Sequence, residues 1–311
     1  MAQDVDRYER DLAIELLEAV RAGNNRGAAV LLIAGAKVNG SPLAGVRPLL
    51  LAAAAGDARM MHALIENGAD VNAGAFGSSG GGKHGRKMSL VEGTRPMHLA
   101  VKNGDKAALR LLLCADANPS LANRDGFTPL MSACTVWNGV AMARELLRAG
   151  ADACRMDRHG ATAVHYAARE AHKDLVSVLL SKGPAALNRL DYGGRTPLFV
   201  AADSGRAVAV RRLLSLGARQ PRPSSSGRVK CPLQAAVRRN HREVARILIQ
   251  RGKEAIGGGA STMVRAMETA AKTGSARILH MLLEAQEGEG IRGRGESFEV
   301  PPQRARSSSS V

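Results

Sequence analysis

The stretch that most resembles a chemical site is Gly77-Ser78-Ser79-Gly80-Gly81-Gly82-Lys83. A glycine, four residues and then Gly-Lys is the arrangement in which backbone N–H groups cradle phosphates. His84 stands where a Ser or Thr hydroxyl would reach the magnesium, and no strand precedes the stretch, so a nucleotide site is not expected. The segment runs on as Lys83-His84-Gly85-Arg86-Lys87, a basic loop able to touch phosphate or acidic side chains, with a merely solvated insertion as the plainer reading.

Metal and acid–base chemistry find no better support. The 8 histidines and 4 cysteines show no ligand spacing, and Cys114, Cys134, Cys154 and Cys231 contain no C-x-x-C pair. They read as small apolar fillers in a reducing compartment. Asp125, Asp157 and Asp191 recur before turn glycines, where Asx-turn capping accounts for them. No catalytic set and no cofactor is expected, and the chain is read as a non-enzyme.

The elements that would position any site come from an internal repeat. Phe127-Thr128-Pro129-Leu130, Ala161-Thr162-Ala163-Val164-His165, Arg195-Thr196-Pro197-Leu198 and Lys230-Cys231-Pro232-Leu233 recur in phase, and Arg47-Pro48-Leu49-Leu50 and Arg95-Pro96-Met97-His98 are earlier copies. Positions 129, 163, 197 and 232 lie 34, 34 and 35 residues apart. A second marker, seen in Gly68-Ala69-Asp70-Val71-Asn72 and Gly150-Ala151-Asp152, keeps the same phase.

Each unit reads physically. Thr caps a helix whose first residue, Pro, has the right φ and no N–H to leave unpaired. The helix ends near Gly56, Gly104, Gly205, Asn240 or Gly274, residues suited to a left-handed cap. A second helix with apolar residues at i, i+3 and i+4 follows, as in Leu175 to Leu180 or Val244 to Ile249. Helices this short are marginal alone and must stack on their neighbours.

The period near 33 residues and the Thr-Pro-Leu-His-x-Ala signature, best kept in Thr128 to Ala133, Thr162 to Ala167 and Thr196 to Ala201, resemble the ankyrin repeat. That resemblance implies an all-α solenoid of helix-turn-helix units with β-hairpin-like finger loops. It also implies that His98 and His165 hydrogen-bond adjacent turns. About eight units are expected, starting near Glu9, Ser41, Gly93, Arg124, Arg155, Arg189, Gly227 and Gly259. They form an array over residues 8–285, after a polar lead at 1–7 and before a disordered tail at 286–311. A Gly-rich insertion near 74–91 interrupts the array as a flexible loop, and one extra residue is expected around Trp137-Asn138-Gly139.

The formal net charge of +16 is unevenly spread: −2 over residues 1–70, +7 over 71–189, +11 over 190–285 and 0 over 286–311. Such asymmetry favours an acidic partner. The resemblance implies a concave binding face formed by finger tips and the exposed ends of the first helices. Carried over unit by unit, it selects Lys102 and Asn103, Arg169 and Glu170, Asp203 and Ser204, Arg238 and Arg239, and Lys272 and Thr273 on the helices, five of these ten being basic, and adds Arg158, Tyr192, Arg195, Arg228 and Lys230 on the fingers; Trp137 and Tyr166 are rare large aromatics of the kind enriched in hot spots.

The reading is an adaptor or scaffold, monomeric by itself, that binds an acidic protein. Direct binding of nucleic acid or anionic lipid by the basic C-terminal units is the alternative, and arginines left as solvated surface stay open beside both. The longest apolar run, Pro48 to Ala55, is far short of the ~20 residues that span a bilayer. The expected location is cytoplasmic, with Lys83 to Lys87 and Arg238 to Arg242 as weak nuclear-import candidates.

Overall fold

A computed structural model describes residues 2–39, 47–75, 91–170, 173–219, 229–251 and 259–295. These form sixteen α-helices in eight successive pairs. The pairs are α1 (Ala2–Arg21) with α2 (Asn25–Ile33), α3 (Pro48–Ala55) with α4 (Ala58–Glu66), α5 (Pro96–Lys102) with α6 (Lys106–Cys114), and α7 (Pro129–Ala133) with α8 (Gly139–Arg148). Then follow α9 (Ala163–Glu170) with α10 (Lys173–Lys182), α11 (Pro197–Asp203) with α12 (Ala207–Ser215), α13 (Pro232–Arg238) with α14 (Arg242–Gln250), and α15 (Gly259–Lys272) with α16 (Ala276–Gly295).

The first helices of the pairs pack side by side from α1 to α15, and the second helices form a parallel outer row from α2 to α16. One apolar cluster runs without a break from Leu12 to Leu282. The inner row approaches closely because it is lined by buried alanines, among them Ala53, Ala100, Ala133, Ala167 and Ala201. The outer row supplies buried leucines such as Leu64, Leu109, Leu146 and Leu213.

Local signals act as their chemistry dictates. Thr128 Oγ1 accepts from Met131 N–H at 3.2 Å and Thr196 Oγ1 from Phe199 N–H at 3.1 Å. Gly56, Gly104, Gly205, Asn240 and Gly274 all take the left-handed conformation that turns the chain into the second helix.

No strand forms among the described residues, yet the fingers are hairpin turns. Asp157 N–H donates to the Ala161 carbonyl at 3.0 Å, and neighbouring fingers are joined by Arg124 N–H to Glu92 O, Arg158 N–H to Asp125 O, Tyr192 N–H to His159 O and Lys230 N–H to Gly194 O, each at 2.8–2.9 Å. Two backbone bonds between Ala75 and the Gly93–Thr94 pair, both 2.8 Å, close the base of the Gly-rich insertion. The phosphate-loop look-alike and Lys83 to Lys87 lie outside the described residues, as does Arg228.

The terminal helices extend beyond the expected bounds of the array, and one turn is held otherwise than expected. Helix α1 begins at Ala2, and further along it Leu12 and Leu16 are buried. Helix α16 buries Ile278 and Leu282 and continues to Gly295. Asp125 does not hold its own turn. Asn123 does, its Oδ1 accepting from Asp125 N–H at 3.0 Å and Phe127 N–H at 2.9 Å, while Asp125 pairs with Arg158 at 2.7 Å.

Candidate partner-binding site

The parallel inner row gives the array two edges. Finger turns lie at the N-terminal ends of the inner helices, and the turns into the outer helices lie at their C-terminal ends. Lys102, Arg169, Arg238 and Lys272 occupy the last turns of α5, α9, α13 and α15, Arg239 caps α13, and Trp137 lies in the turn after α7. Six of the expected residues thus share one edge. Tyr192 and Arg195 are on the opposite, finger edge, as are Arg158 and Lys230, so a single edge does not gather all the expected residues.

The ends of helices attract positive charge for a local reason, since the carbonyl end of a helix carries a partial negative charge. Most of the arginines are also paired within the chain. Arg238 and Arg239 both reach the Asp203 carboxylate, at 3.0 and 3.5 Å. Arg169 meets Glu170 at 3.1 Å and lies over the Tyr166 ring, 5.2 Å from its centroid. Its carbonyl accepts from Arg206 Nε at 2.9 Å, a bond between neighbouring repeats that the sequence reading missed. Arg195 contacts Asp191 at 2.6 Å, and that carboxylate is fully buried. Among the described residues no carboxylate lies within ion-pair range of Lys102 or Lys272.

Exposed ion pairs contribute only ~0–1 kcal/mol, so an incoming carboxylate can displace Asp203 from Arg238 and Arg239. Replacing Asp203 with asparagine is therefore expected to raise affinity for an acidic ligand about threefold to tenfold at low salt, because two guanidinium groups lose their internal counter-charge. Titration calorimetry on the two proteins checks this; equal affinities would mean that the pair is not in the contact surface.

Further ion pairs at nearly one repeat spacing link neighbours. Arg110 meets Glu145 at 2.6 Å, and Arg124–Glu92 and Arg211–Glu243 are also in contact. Opposite charges 32–35 residues apart are the signal that would have found them.

The other singled-out side chains are structural. His98 Nδ1 accepts from Arg95 N–H at 3.3 Å while Nε2 faces the Phe127 carbonyl at 2.9 Å, which makes Nε2 the protonated nitrogen. His165 repeats the arrangement with Thr162 N–H at 3.1 Å and the Arg195 carbonyl at 3.1 Å. Each imidazole caps its own helix and ties it to the next finger. Burial holds both below the usual imidazole range, His98 down to about 4.

Tyr166 donates to Asp157 Oδ2 at 2.5 Å and packs edge-on against Phe127 with ring centroids 5.1 Å apart, so it braces two fingers. Its hydroxyl pKa is raised, by burial first and by the Asp157 bond second. Cys134 is buried, which pushes its thiol up, whereas Cys114 is exposed and not the expected filler. Among the described residues no three His, Cys, Asp or Glu side chains gather as a metal site, and no helix is long and apolar enough to cross a membrane.

Stacked helix pairs, fingers joined by backbone bonds and histidines that tie one repeat to the next define a repeat solenoid. The family model for ankyrin repeats in three copies matches residues 79–157 and 135–224, and a single ankyrin repeat matches residues 45–75. The chain belongs to the ankyrin repeat family. It is 30% identical over 177 residues to mouse Rabankyrin-5, a match covering 56% of this chain and 14% of that protein. It is 34% identical over 147 residues to the Arabidopsis thaliana putative E3 ubiquitin-protein ligase XBAT31, covering 42% of this chain and 32% of that one. To the chicken nuclear factor NF-kappa-B p105 subunit it is 31% identical over 142 residues, 44% of this chain and 14% of the subunit. The chain therefore matches only a minor part of each relative's length. Ankyrin repeats are in general protein–protein interaction modules, and the fold is typically non-enzymatic.

Proposed function

We propose that this protein is an adaptor that binds an acidic protein through the edge formed by the C-terminal ends of its inner helices. The observation that carries this reading is the placement of Lys102, Arg169, Arg238, Arg239 and Lys272 along that one edge, the last three within residues 190–285, whose net charge is +11. Two guanidinium groups, Arg238 and Arg239, share the single Asp203 carboxylate, and a ligand carrying carboxylates supplies the counter-charge that they and, among the described residues, the lysines lack.

Affinity capture from a cell lysate at low and moderate salt tests the reading, comparing the intact protein with the variant Arg238→Glu, Arg239→Glu, Lys272→Glu. An acidic protein held by the first is expected to fall about tenfold or more with the variant. Equal recovery would reduce the basic edge to solvated surface. Recovery of nucleic acid instead, with affinity falling at a log–log salt slope of about −0.9 per phosphate contact, would replace the protein partner with a polyanion.

A further inference from the structure

We infer that the turn between α7 and α8 presents Trp137 as the anchor for an extended acidic segment that carries one apolar side chain, read in a register of about three residues per repeat. The inference rests on the acidic-partner reading above and adds to it the anchor, the form of the ligand and its spacing.

Trp137 is the only tryptophan of the chain and is 90% exposed. Other units place a polar pair after the inner helix, Gly104-Asp105, Gly205-Arg206, Asn240-His241 or Gly274-Ser275, each with its first residue left-handed. Unit four departs from that pattern. Helix α7 stops at Ala133, and a longer turn carries Trp137 outward before α8 begins at Gly139.

That turn is held by its own bonds. Cys134 N–H donates to Met131 O at 3.0 Å, Thr135 N–H to Ser132 O at 3.0 Å, and Gly139 N–H to Val136 O at 3.1 Å. The Thr135 hydroxyl adds a bond to Ser132 O at 2.9 Å and the Cys134 thiol one to Leu130 O at 3.2 Å. A large indole held in solvent by an ordered backbone is costly to hydrate and costs little entropy to bury, the profile of an interface anchor.

The neighbouring repeats define the ligand. Lys102 lies one repeat before Trp137 and Arg169 one repeat after, at the matching ends of their helices. A cationic side chain would gain from the indole face but would be repelled by both flanking charges, so the favoured occupant is an apolar residue flanked by carboxylates. Packed helices stand ~8–10 Å apart and an extended chain advances ~3.3 Å per residue, so one repeat corresponds to about three ligand residues. The carboxylates then fall about three residues either side of the apolar residue. The position facing Asp203 takes a neutral residue, and later acidic positions meet Arg238, Arg239 and Lys272.

The test uses a labelled peptide of about sixteen residues with leucine at roughly position 4, glutamate at roughly positions 1, 7, 13 and 16, and glycine and serine elsewhere, the spacing following from the strand rise. A control of identical composition has its glutamates moved out of register. Anisotropy reports affinity for the full chain and for Trp137→Ala, and thermal melts confirm that this exposed substitution leaves the fold intact. Because Trp137 is the sole tryptophan, its emission reports burial directly.

The expected result is a blue shift on binding, with a loss of about tenfold both for Trp137→Ala and for the control peptide. Equal binding of both peptides with unchanged emission would overturn the anchor and its register while leaving the acidic-partner reading intact. Binding of neither peptide, with charge-dependent capture of an acidic protein retained, would also overturn the inference alone. Failure of both peptides and of that capture would end both readings together.

Discussion

Acidification from pH 7 to pH 4 is expected to cost the folded array roughly 3 kcal/mol through His98 alone, more than any surface charge pair contributes. The folded protein holds this imidazole neutral down to about 4, against an ordinary value of 6.5, because burial disfavours the charged ring and the Arg95 guanidinium repels it, and the bond to the Phe127 carbonyl offsets only part of that. A second proton would have to sit on Nδ1, which faces the Arg95 N–H. The unfolded chain takes up its proton near 6.5 and the folded chain near 4. The stabilisation is therefore complete above about 6.5, declines as pH falls through that interval, and is flat below about 4. His165 adds to the loss in the same direction, its value lowered first by burial, with the bond to the Arg195 carbonyl and the Asp191 and Asp157 charges opposing and the Arg195 guanidinium assisting.

Carboxylates titrate in part of the same window, so the informative comparison is with His98→Gln, whose amide can accept and donate at similar places but cannot ionise. At pH 7 the variant is expected to be the less stable by about 1 kcal/mol, and the difference should shrink and then reverse as pH approaches 4. Urea denaturation followed by circular dichroism at three pH values reads both curves. Parallel curves would show that His98 is not protected from protonation by folding.

The same residue shows how far sequence reaches. His98 and His165 stand in a recurring signature, and their link to the next finger was legible because every copy of a repeat faces the same neighbour. Unit four keeps Thr128-Pro129-Leu130 but carries Met131 in the histidine position. The thioether accepts from Thr128 N–H at 3.5 Å, reproducing the cap, but it has no hydrogen to donate across to the next finger. Periodicity also located the row of helix ends that holds Lys102, Arg169, Arg238, Arg239 and Lys272. Whether a given arginine was free was not legible, because its partner sits one repeat away on another element. Asp203, some 35 residues from Arg238 and Arg239, looks isolated along the chain and becomes central only when repeats stack. Tyr192 and Arg195 were assigned to the same surface because the ankyrin resemblance joins finger tips and inner-helix ends in one concave face, and the two ends of an inner helix separate them.

Gly139→Ala is expected to destabilise the protein by roughly 2 kcal/mol, although alanine is intrinsically the better helix residue by about 1 kcal/mol. A β-carbon at Gly139 would fall on the Ala133 carbonyl oxygen, far inside contact distance, and the obstacle is backbone, which cannot rotate aside like a side-chain tip. Relief requires either the end of α7 or the start of α8 to move. Helix α8 is anchored by the fully buried Met142, Ala143 and Leu146, and α7 by Leu130 and Met131. The expected sign thus opposes helix propensity, which makes the measurement decisive. Denaturation of the variant with a lower midpoint and unchanged slope would show that the short turn depends on glycine, and the tryptophan it carries would then be held in a fixed position. Equal or greater stability would show that the turn rearranges at little cost, and the ordered backbone that holds Trp137 outward would lose its support.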